Sequence, residues 1–357
     1  MSSSILFLLP YPLHQAPSQR FRIEAYFQTL KGAGFTYRTH SFLSRDAWNV
    51  LYKKGGAITK VSAILIGYLK RFFVVLFVAP KYDYIVVHRE AAPLGPPIFE
   101  WILSKLFRKR IIYDFDDAIW IPNTTVTNRA AAWAKCFWKV KSICRWAYKV
   151  SAGNAYLATY ANTCNDNVVI NPTCVDMLGR YNRSVKQNNQ VITIGWTGSH
   201  STLFYLELVY PILQSLHNQR AFRFLIICDQ PPQVNLPFIE FRTWSETTEI
   251  DDLLQLNIGL MPLEQDAWSE GKCGFKIIQY LSLGIPAVAS PVGVNKDIVE
   301  HGINGFLCQS PDEWRTALSQ LLTDEKLRTD MGAAGRSKMN QKYSVQSNEN
   351  NFLSLFS

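Results

Sequence analysis

Lys272, Lys276 and Gln279 stand in the run Glu270-Gly-Lys-Cys-Gly-Phe-Lys-Ile-Ile-Gln-Tyr-Leu-Ser-Leu-Gly-Ile-Pro-Ala-Val-Ala-Ser290, a glycine-containing loop, a helix and a proline-started apolar strand. Their spacing of i, i+4 and i+7 puts them on one face if the helix extends back through the loop. The helix start beside Gly274 and Phe275 adds backbone N–H groups and the positive end of the helix dipole. Two ammonium groups and a helix start suit a diphosphate. If the diphosphate departs during a reaction, negative charge grows on its leaving oxygen, and a fixed ammonium there lowers the barrier. Lys272 is the first candidate for that role; Lys276 either shares it or lies on the helix surface.

A second turn, Gly195-Trp-Thr-Gly-Ser-His-Ser-Thr202, ends one strand and opens another helical segment. Gly195 and Gly198 permit a tight backbone around Thr197, Ser199 can cap, and the N–H groups of the turn would attract phosphate oxygens. His200 is either a further donor or a surface histidine. In the first half of the chain, Tyr113-Asp-Phe-Asp-Asp-Ala-Ile-Trp120 leaves a strand with three carboxylates. Strand alternation puts Asp114 and Asp116 on one side, so a divalent cation is geometrically conceivable. The diphosphate chemistry lies in the other half, however, so Asp116 and Asp117 are assigned to hydroxyl groups of an acceptor or sugar and no metal is expected. Arg20, after the first strand, and Arg89, in His88-Arg-Glu90 after the third, are further loop-end candidates for that side. No Ser-His-Asp set, metal-spaced histidine pair or G-x-G-x-x-G fingerprint is present.

The run from Glu270 to Ser290 resembles the donor-binding signature of glycosyltransferase family 4. The likeness continues in Ile258-Gly-Leu-Met-Pro-Leu263, in Ser290-Pro-Val-Gly-Val-Asn295 with its Gly293, and in His301-Gly-Ile-Asn-Gly-Phe-Leu307. The resemblance implies a GT-B fold, a nucleotide diphosphate-sugar donor, and sugar transfer with retention by a front-face mechanism that needs no obligatory protein base. It also implies that Gln279 stands where the family has a glutamate bonding the nucleotide ribose, a role an amide can still fill. The family's other paired glutamate becomes Gly271 or its neighbour Glu270, and the usual arginine and lysine after the first strand of that domain give way to Gly195 to Thr202.

Those residues need a scaffold. Apolar strand-like runs recur at 5–9, 36–42, 84–88, 110–114, 149–152 and 168–170, and again at 191–196, 222–228, 238–241, 258–261, 287–289 and 305–308, with helical patterns between most of them. That alternation predicts an α/β protein of two Rossmann-like domains with parallel sheets. The expected division is residues 1–185 for the acceptor side, 186–340 for the nucleotide-sugar side, and a helix over 341–357 crossing back to the first domain. Ligands of such sheets sit beyond the carboxyl ends of the strands, which predicts a site in a cleft faced by both domains.

The chain has 357 residues, 48% of them apolar, enough for two cores. Seven scattered cysteines without a C-x-x-C pair argue against a disulfide framework or zinc site and fit a reducing cytoplasm. Met1 to Pro10 reads as a first buried strand rather than a signal peptide. Val61 to Pro80 is the longest apolar stretch, but Lys70 and Arg71 at its centre would each cost roughly 2.5–3.5 kcal/mol at mid-bilayer, so a buried helix is expected.

Charge is divided unevenly. Residues 1–185 hold 24 Lys and Arg against 10 Asp and Glu, a net +14, and residues 186–357 hold 13 against 18, a net −5. The basic half predicts an anionic partner. No nucleic-acid motif accompanies it, so an anionic membrane surface is favoured. Residues Trp133 to Lys149, with Trp138 and Trp146 among lysines, have the composition either of an interfacial helix or of a packed helix with a solvated basic face. Together these readings predict a cytoplasmic transferase, or one peripheral on the inner face of the membrane, that moves a sugar to a glycan or lipid-linked acceptor. The alternative is a nucleotide-sugar-binding subunit of the same fold without turnover.

Overall fold

The computed structural model describes residues 3–51, 56–122, 134–187 and 191–357. Among these the apolar runs form two six-stranded parallel sheets. The chain divides into two units, Met1–Thr173 with Glu349–Ser357, and Cys174–Asn348. The divisions fall at 173/174 and 348/349, where the sequence reading puts them at 185/186 and 340/341.

The first sheet comprises β1 (Ser4–Leu9), β2 (Thr36–Ser41), β3 (Tyr84–His88), β4 (Arg110–Phe115), β5 (Lys149–Ala152) and β6 (Val168–Ile170), in the order β2-β1-β3-β4-β5-β6. Ile5 of β1 sits opposite Tyr37 on one side and Tyr84 on the other. Ile5 to Leu9 are all fully buried, as expected of a parallel strand covered on both faces, and Pro10 then ends the strand.

The helices that matter to the site are α1 (Pro17–Arg22), α2 (Ala57–Phe73, wound on through Val74–Val78), α3 (Ile98–Trp101, wound on through Ile102–Leu106) and α4 (Lys139–Trp146). The expectation of a buried helix is corrected at α2. It turns only one face inward, through Gly67, Arg71, Val74 and Val75. A Cβ at Gly67 would come within 2.6 Å of the Phe42 ring, so glycine allows the close approach. Arg71 is fully buried, donating 2.8 Å to the Leu9 carbonyl and 3.2 Å to that of His40. Arginine here closes the ends of β1 and β2, and the opposite face of α2 is left exposed.

The basic helix is corrected too. Trp133 lies outside the described residues, and α4 itself begins at Lys139. Lys139 is buried, donating 3.1 Å to the Ala92 carbonyl and pairing with Glu90 at 2.7 Å; Lys149 donates 2.6 Å to the Ser354 carbonyl. Trp138 is exposed and Trp146 half-buried. Both lysines are thus engaged within the unit.

In the second unit, β7 (Thr193–Thr197), β8 (Arg223–Cys228), β9 (Ile239–Thr243), β10 (Ile258–Met261), β11 (Ala287–Ala289) and β12 (Gly305–Leu307) are ordered β12-β11-β10-β7-β8-β9. Its helices include α5 (Phe275–Ser282), α6 (Pro311–Thr323) and α7 (Glu325–Lys342). A capping box between Ser310 and Glu313, with Pro311 at the first helical position, starts α6 and directs Trp314 and Leu318 into the core beside Trp196 and Phe224. Helix α8 (Val345–Leu353) carries the chain from the second unit into the first. There Phe352 stacks on Tyr26 with ring centroids 4.0 Å apart, and the Tyr84 hydroxyl donates 2.7 Å to the Phe356 carbonyl.

Candidate active site

In the second sheet the order reverses between β7 and β10, so the crevice outside their carboxyl ends is where a ligand of such a sheet binds. Tyr280 of α5 ties that region together. Its hydroxyl accepts from the Thr197 N–H at 3.0 Å and donates to the Leu260 carbonyl at 3.3 Å, while its ring occupies the space a Cβ on Gly259 would need. Helix α5 is thereby fixed to the ends of both central strands.

Both candidate lysines lie at this crevice. The Lys272 ammonium is 5.8 Å from the Tyr205 ring centroid and 5.7 Å from that of Trp268. The Lys276 ammonium is 5.2 Å from the Trp196 ring centroid, with its stem along Gly198, where a Cβ would meet it at 2.9 Å. Such cation–π contacts hold a lysine in place by about 0.5–1 kcal/mol. The helix does not extend back as the spacing supposed. Gly274 takes a left-handed conformation with φ 64°, and α5 starts after it, so Lys272 belongs to the preceding loop. A Cβ on Gly274 would lie 2.2 Å from Ile298, and one on Gly293, also left-handed at φ 52°, 2.8 Å from the Glu270 carbonyl oxygen. These two glycines let the loops before α5 and after β11 close on one another.

The turn after β7 differs from the phosphate cradle expected of it. The Gly198 N–H donates to the Ile227 carbonyl at 3.1 Å and the His200 N–H to the Asp229 carboxylate at 2.7 Å. Ser199 places no side-chain cap on the segment after it, and its hydroxyl sits 2.9 Å from that of Ser201. Gly195 is inside β7, where a Cβ would meet Leu256 at 2.1 Å, which makes it a packing glycine. His200 is half-exposed, its Nδ1 2.5 Å from Asp229, an arrangement that orients the imidazole. Burial alone would raise the Asp229 carboxyl, but the hydrogen bonds from His200 outweigh it and hold it below the ordinary range.

Gln279 is buried and its amide donates 2.7 Å to the Tyr181 hydroxyl and 3.3 Å to Glu249. Glu249 also accepts from Trp244 Nε1 at 3.1 Å and from Arg180 at 2.8 Å. Sequence reasoning missed this cluster, because its members are brought together from the segments before β7, after β9 and on α5.

In the first sheet the order reverses between β1 and β3. Three of the four first-half candidates meet beside it. Arg89, left-handed at φ 61°, directs its guanidinium at Asp117 and at Asp116, the latter 3.8 Å from Nε. A non-glycine residue held there signals a position over-determined by its surroundings. Burial opposes the charge of Arg89, yet Asp117 and Asp116 hold its pKa above the ordinary value. Arg20 is buried in α1, over the Phe21 ring at 4.9 Å.

Asp114 is occupied. Arg22 donates to both its oxygens through Nε, at 3.2 and 3.0 Å, and Ser151 donates at 2.6 Å; His88 Nδ1 sits 2.8 Å from Oδ2. His88 is buried, its other ring nitrogen 2.9 Å from the Ser18 hydroxyl. Among the described residues no group of three or more His, Cys, Asp or Glu is arranged to hold a metal ion.

Residues 190–324, which contain the whole second sheet, match the family described as Glycosyl transferases group 1, and the two parallel sheets of the chain have the GT-B fold. A curated relative, N-acetyl-alpha-D-glucosaminyl L-malate synthase of Bacillus anthracis, is 29% identical over 72 residues, 20% of this chain and 19% of that protein. The chain therefore aligns with about a fifth of that relative's length. Among solved structures, sucrose-phosphate synthase (tll1590) from Thermosynechococcus elongatus superposes over 100% of this chain and 98% of its own, with TM-score 0.70 and 11% identity. Anabaena Alr3699/HepE, in complex with UDP-glucose, superposes over 99% of each chain with TM-score 0.65 and 14% identity. These two likenesses establish the fold.

Proposed function

We propose that the chain transfers a sugar from a nucleotide diphosphate-sugar to a hydroxyl acceptor with retention at the anomeric carbon, and that Lys272 and Lys276 neutralise the diphosphate as it leaves. The observation carrying this is the pair of ammonium groups held over Tyr205, Trp268 and Trp196 at the switch crevice of the second sheet. As the sugar–oxygen bond breaks, charge grows on the leaving oxygen, and cations already in position need no reorganisation to meet it. On this reading Thr197, Gly198, Ser199, His200, Gly274, Phe275, Gln279 and Gly293 surround the donor. Arg20, Arg89, Asp116 and Asp117 serve the acceptor or sugar hydroxyls.

A uridine diphosphate-sugar is the first donor to test, since Anabaena HepE is a neighbour in complex with UDP-glucose. The acceptor is a lipid-linked or cell-surface glycan, and the net +14 of residues 1–185 draws the protein from the cytoplasm to the anionic inner face of a membrane. With two lysines on the diphosphate, no metal is required, and turnover should survive a chelator. The test is calorimetry with UDP, GDP and ADP, then release of the bound diphosphate from its sugars with and without a hydroxyl acceptor. Failure to bind any nucleoside diphosphate sinks the proposal. Binding without hydrolysis or transfer favours the second reading, a nucleotide-sugar-binding subunit, to which Gly271 in place of a glutamate and the engaged amide of Gln279 both point.

A further inference from the structure

Helix α2 is amphipathic in the reverse sense for a helix packed on a sheet. Its arginine points inward and its large apolar residues point out. Ile58, Val61, Leu65, Leu69, Phe72 and Leu76 recur at three- and four-residue steps and are all exposed, Ile58 by 87% and Leu69 by 71%. Phe73 and Phe77 widen the stripe. Helix α3 lies alongside, joined through Phe72 and Phe99 with ring centroids 4.8 Å apart, and adds exposed Ile98, Trp101 and Leu106. An apolar surface this continuous is unusual on a protein whose outer face meets only water.

Its charge decides what covers it. From Ala57 to Lys81 there is no carboxylate, and Ile98 to Arg108 has one, Glu100, which is buried and accepts the Ala91 N–H at 2.8 Å. Lys70, Lys81, Lys105 and Arg108 are exposed on or beside the same helices. An apolar face whose two helices expose cations and no carboxylate, with Asp46 an acidic neighbour in the hollow beside Lys70, complements a bilayer surface bearing anionic lipid. A second copy of the chain is a poorer occupant, because a self-contact would bring like charges together. Ile58–Lys81 is long and apolar enough to cross a membrane by length and composition. However, Arg71 holds it to the carbonyls of Leu9 and His40, which fits a helix lying in the interface.

We infer that the outward face of α2, with the adjoining face of α3, rests on an anionic membrane surface, α2 and α3 inserting their apolar residues while Lys70 and Lys105 meet lipid phosphates. The inference rests on the membrane reading above and moves the contact away from Trp138 and Trp146, where the sequence put it.

The test is flotation of the full chain with vesicles of phosphatidylcholine, with and without phosphatidylglycerol. Wild type should float with the anionic vesicles and less with the neutral ones. Leu65→Ser with Leu69→Ser and Phe73→Ser should lower the bound fraction at least tenfold, with unchanged circular dichroism and unchanged UDP affinity. Lys70→Glu with Lys105→Glu should lower it in a salt-dependent way, and Trp138→Ala should leave it intact. If the wild type floats and the triple serine variant floats equally, the helix assignment falls and the membrane reading stands. If the wild type ignores anionic vesicles at low salt, both fall. A stable dimer in light scattering that the serine variant abolishes would give the face to a second copy and overturn the inference.

Discussion

Replacing Asp114 by asparagine separates two meanings of the Asp114-Phe-Asp116 pattern. The carboxylate is 1% exposed and its partner Arg22 is not exposed at all. Oδ1 receives Arg22 Nε and Ser151; Oδ2 receives Arg22 Nε and lies against His88. In Asp114→Asn one oxygen becomes an NH2 group, so in either orientation a donor faces the guanidinium and Arg22 keeps a buried charge without its counter-ion. Breaking a buried pair in this way costs about 3–5 kcal/mol. With a urea slope of about 1–3 kcal/mol per molar, the unfolding midpoint of the first unit should fall by at least about 1 M.

The pH dependence gives a second readout. Burial alone would raise the Asp114 carboxyl, but Arg22 and His88 outweigh it and hold the group well below its ordinary 3.8. A depressed carboxyl contributes stability that is present above 3.8 and lost as the pH falls below it. The acid slope of the first unit's stability should therefore flatten in the variant. A midpoint shift below about 0.3 M together with abolished turnover would refute this reasoning. Asp114 would then act on substrate or metal.

Other expectations are smaller. Lys272→Ala should raise the barrier to turnover by roughly 2.7–4 kcal/mol, by analogy with loss of one transition-state donor, and near-wild-type initial rates would reject its role. Gln279→Leu leaves Tyr181 and Glu249 without their amide donor and should destabilise the second unit by about 1–3 kcal/mol; if UDP affinity is unchanged in calorimetry, the ribose assignment fails. Gly274→Ala forces a left-handed φ of 64° on alanine and a methyl against Ile298, so its melting transition should drop; an unchanged transition would show that the loop can shift to admit the methyl. His40 is pushed down to about 4 by burial, then by Arg71, so its contribution is full above its ordinary 6.5 and lost as pH falls toward 4. His40→Gln should weaken that dependence, read by denaturation at stepped pH.

The strands were readable because parallel strands covered on both faces are written as short apolar runs; Ile5 to Leu9 and Phe224 to Cys228 are fully buried. The loop lysines were readable for a similar local reason, a glycine before a helix. What escaped notice depends on partners distant in sequence. Asp229 takes the His200 N–H from 29 residues away, and Arg22 finds Asp114 across 92. No local pattern announces that Gly195 exists to admit Leu256. Helix α2 misled for the opposite reason, since an apolar run is ordinarily assumed to face the core. Here Arg71 was needed at the ends of β1 and β2, which turned the apolar residues outward.

Residues 349–357 belong to the first unit, and Phe352, Leu355 and Phe356 are buried there, Phe352 against Tyr26 and Phe356 against Tyr84. During synthesis these nine residues leave the ribosome only after all of Cys174–Asn348. The unit begun first is therefore finished last. While the second unit is being made, Tyr26 and Tyr84 await the rings that will cover them. A product lacking residues 349–357 would leave Tyr26 and Tyr84 of the first unit without those rings, a species that chaperones holding apolar patches would retain.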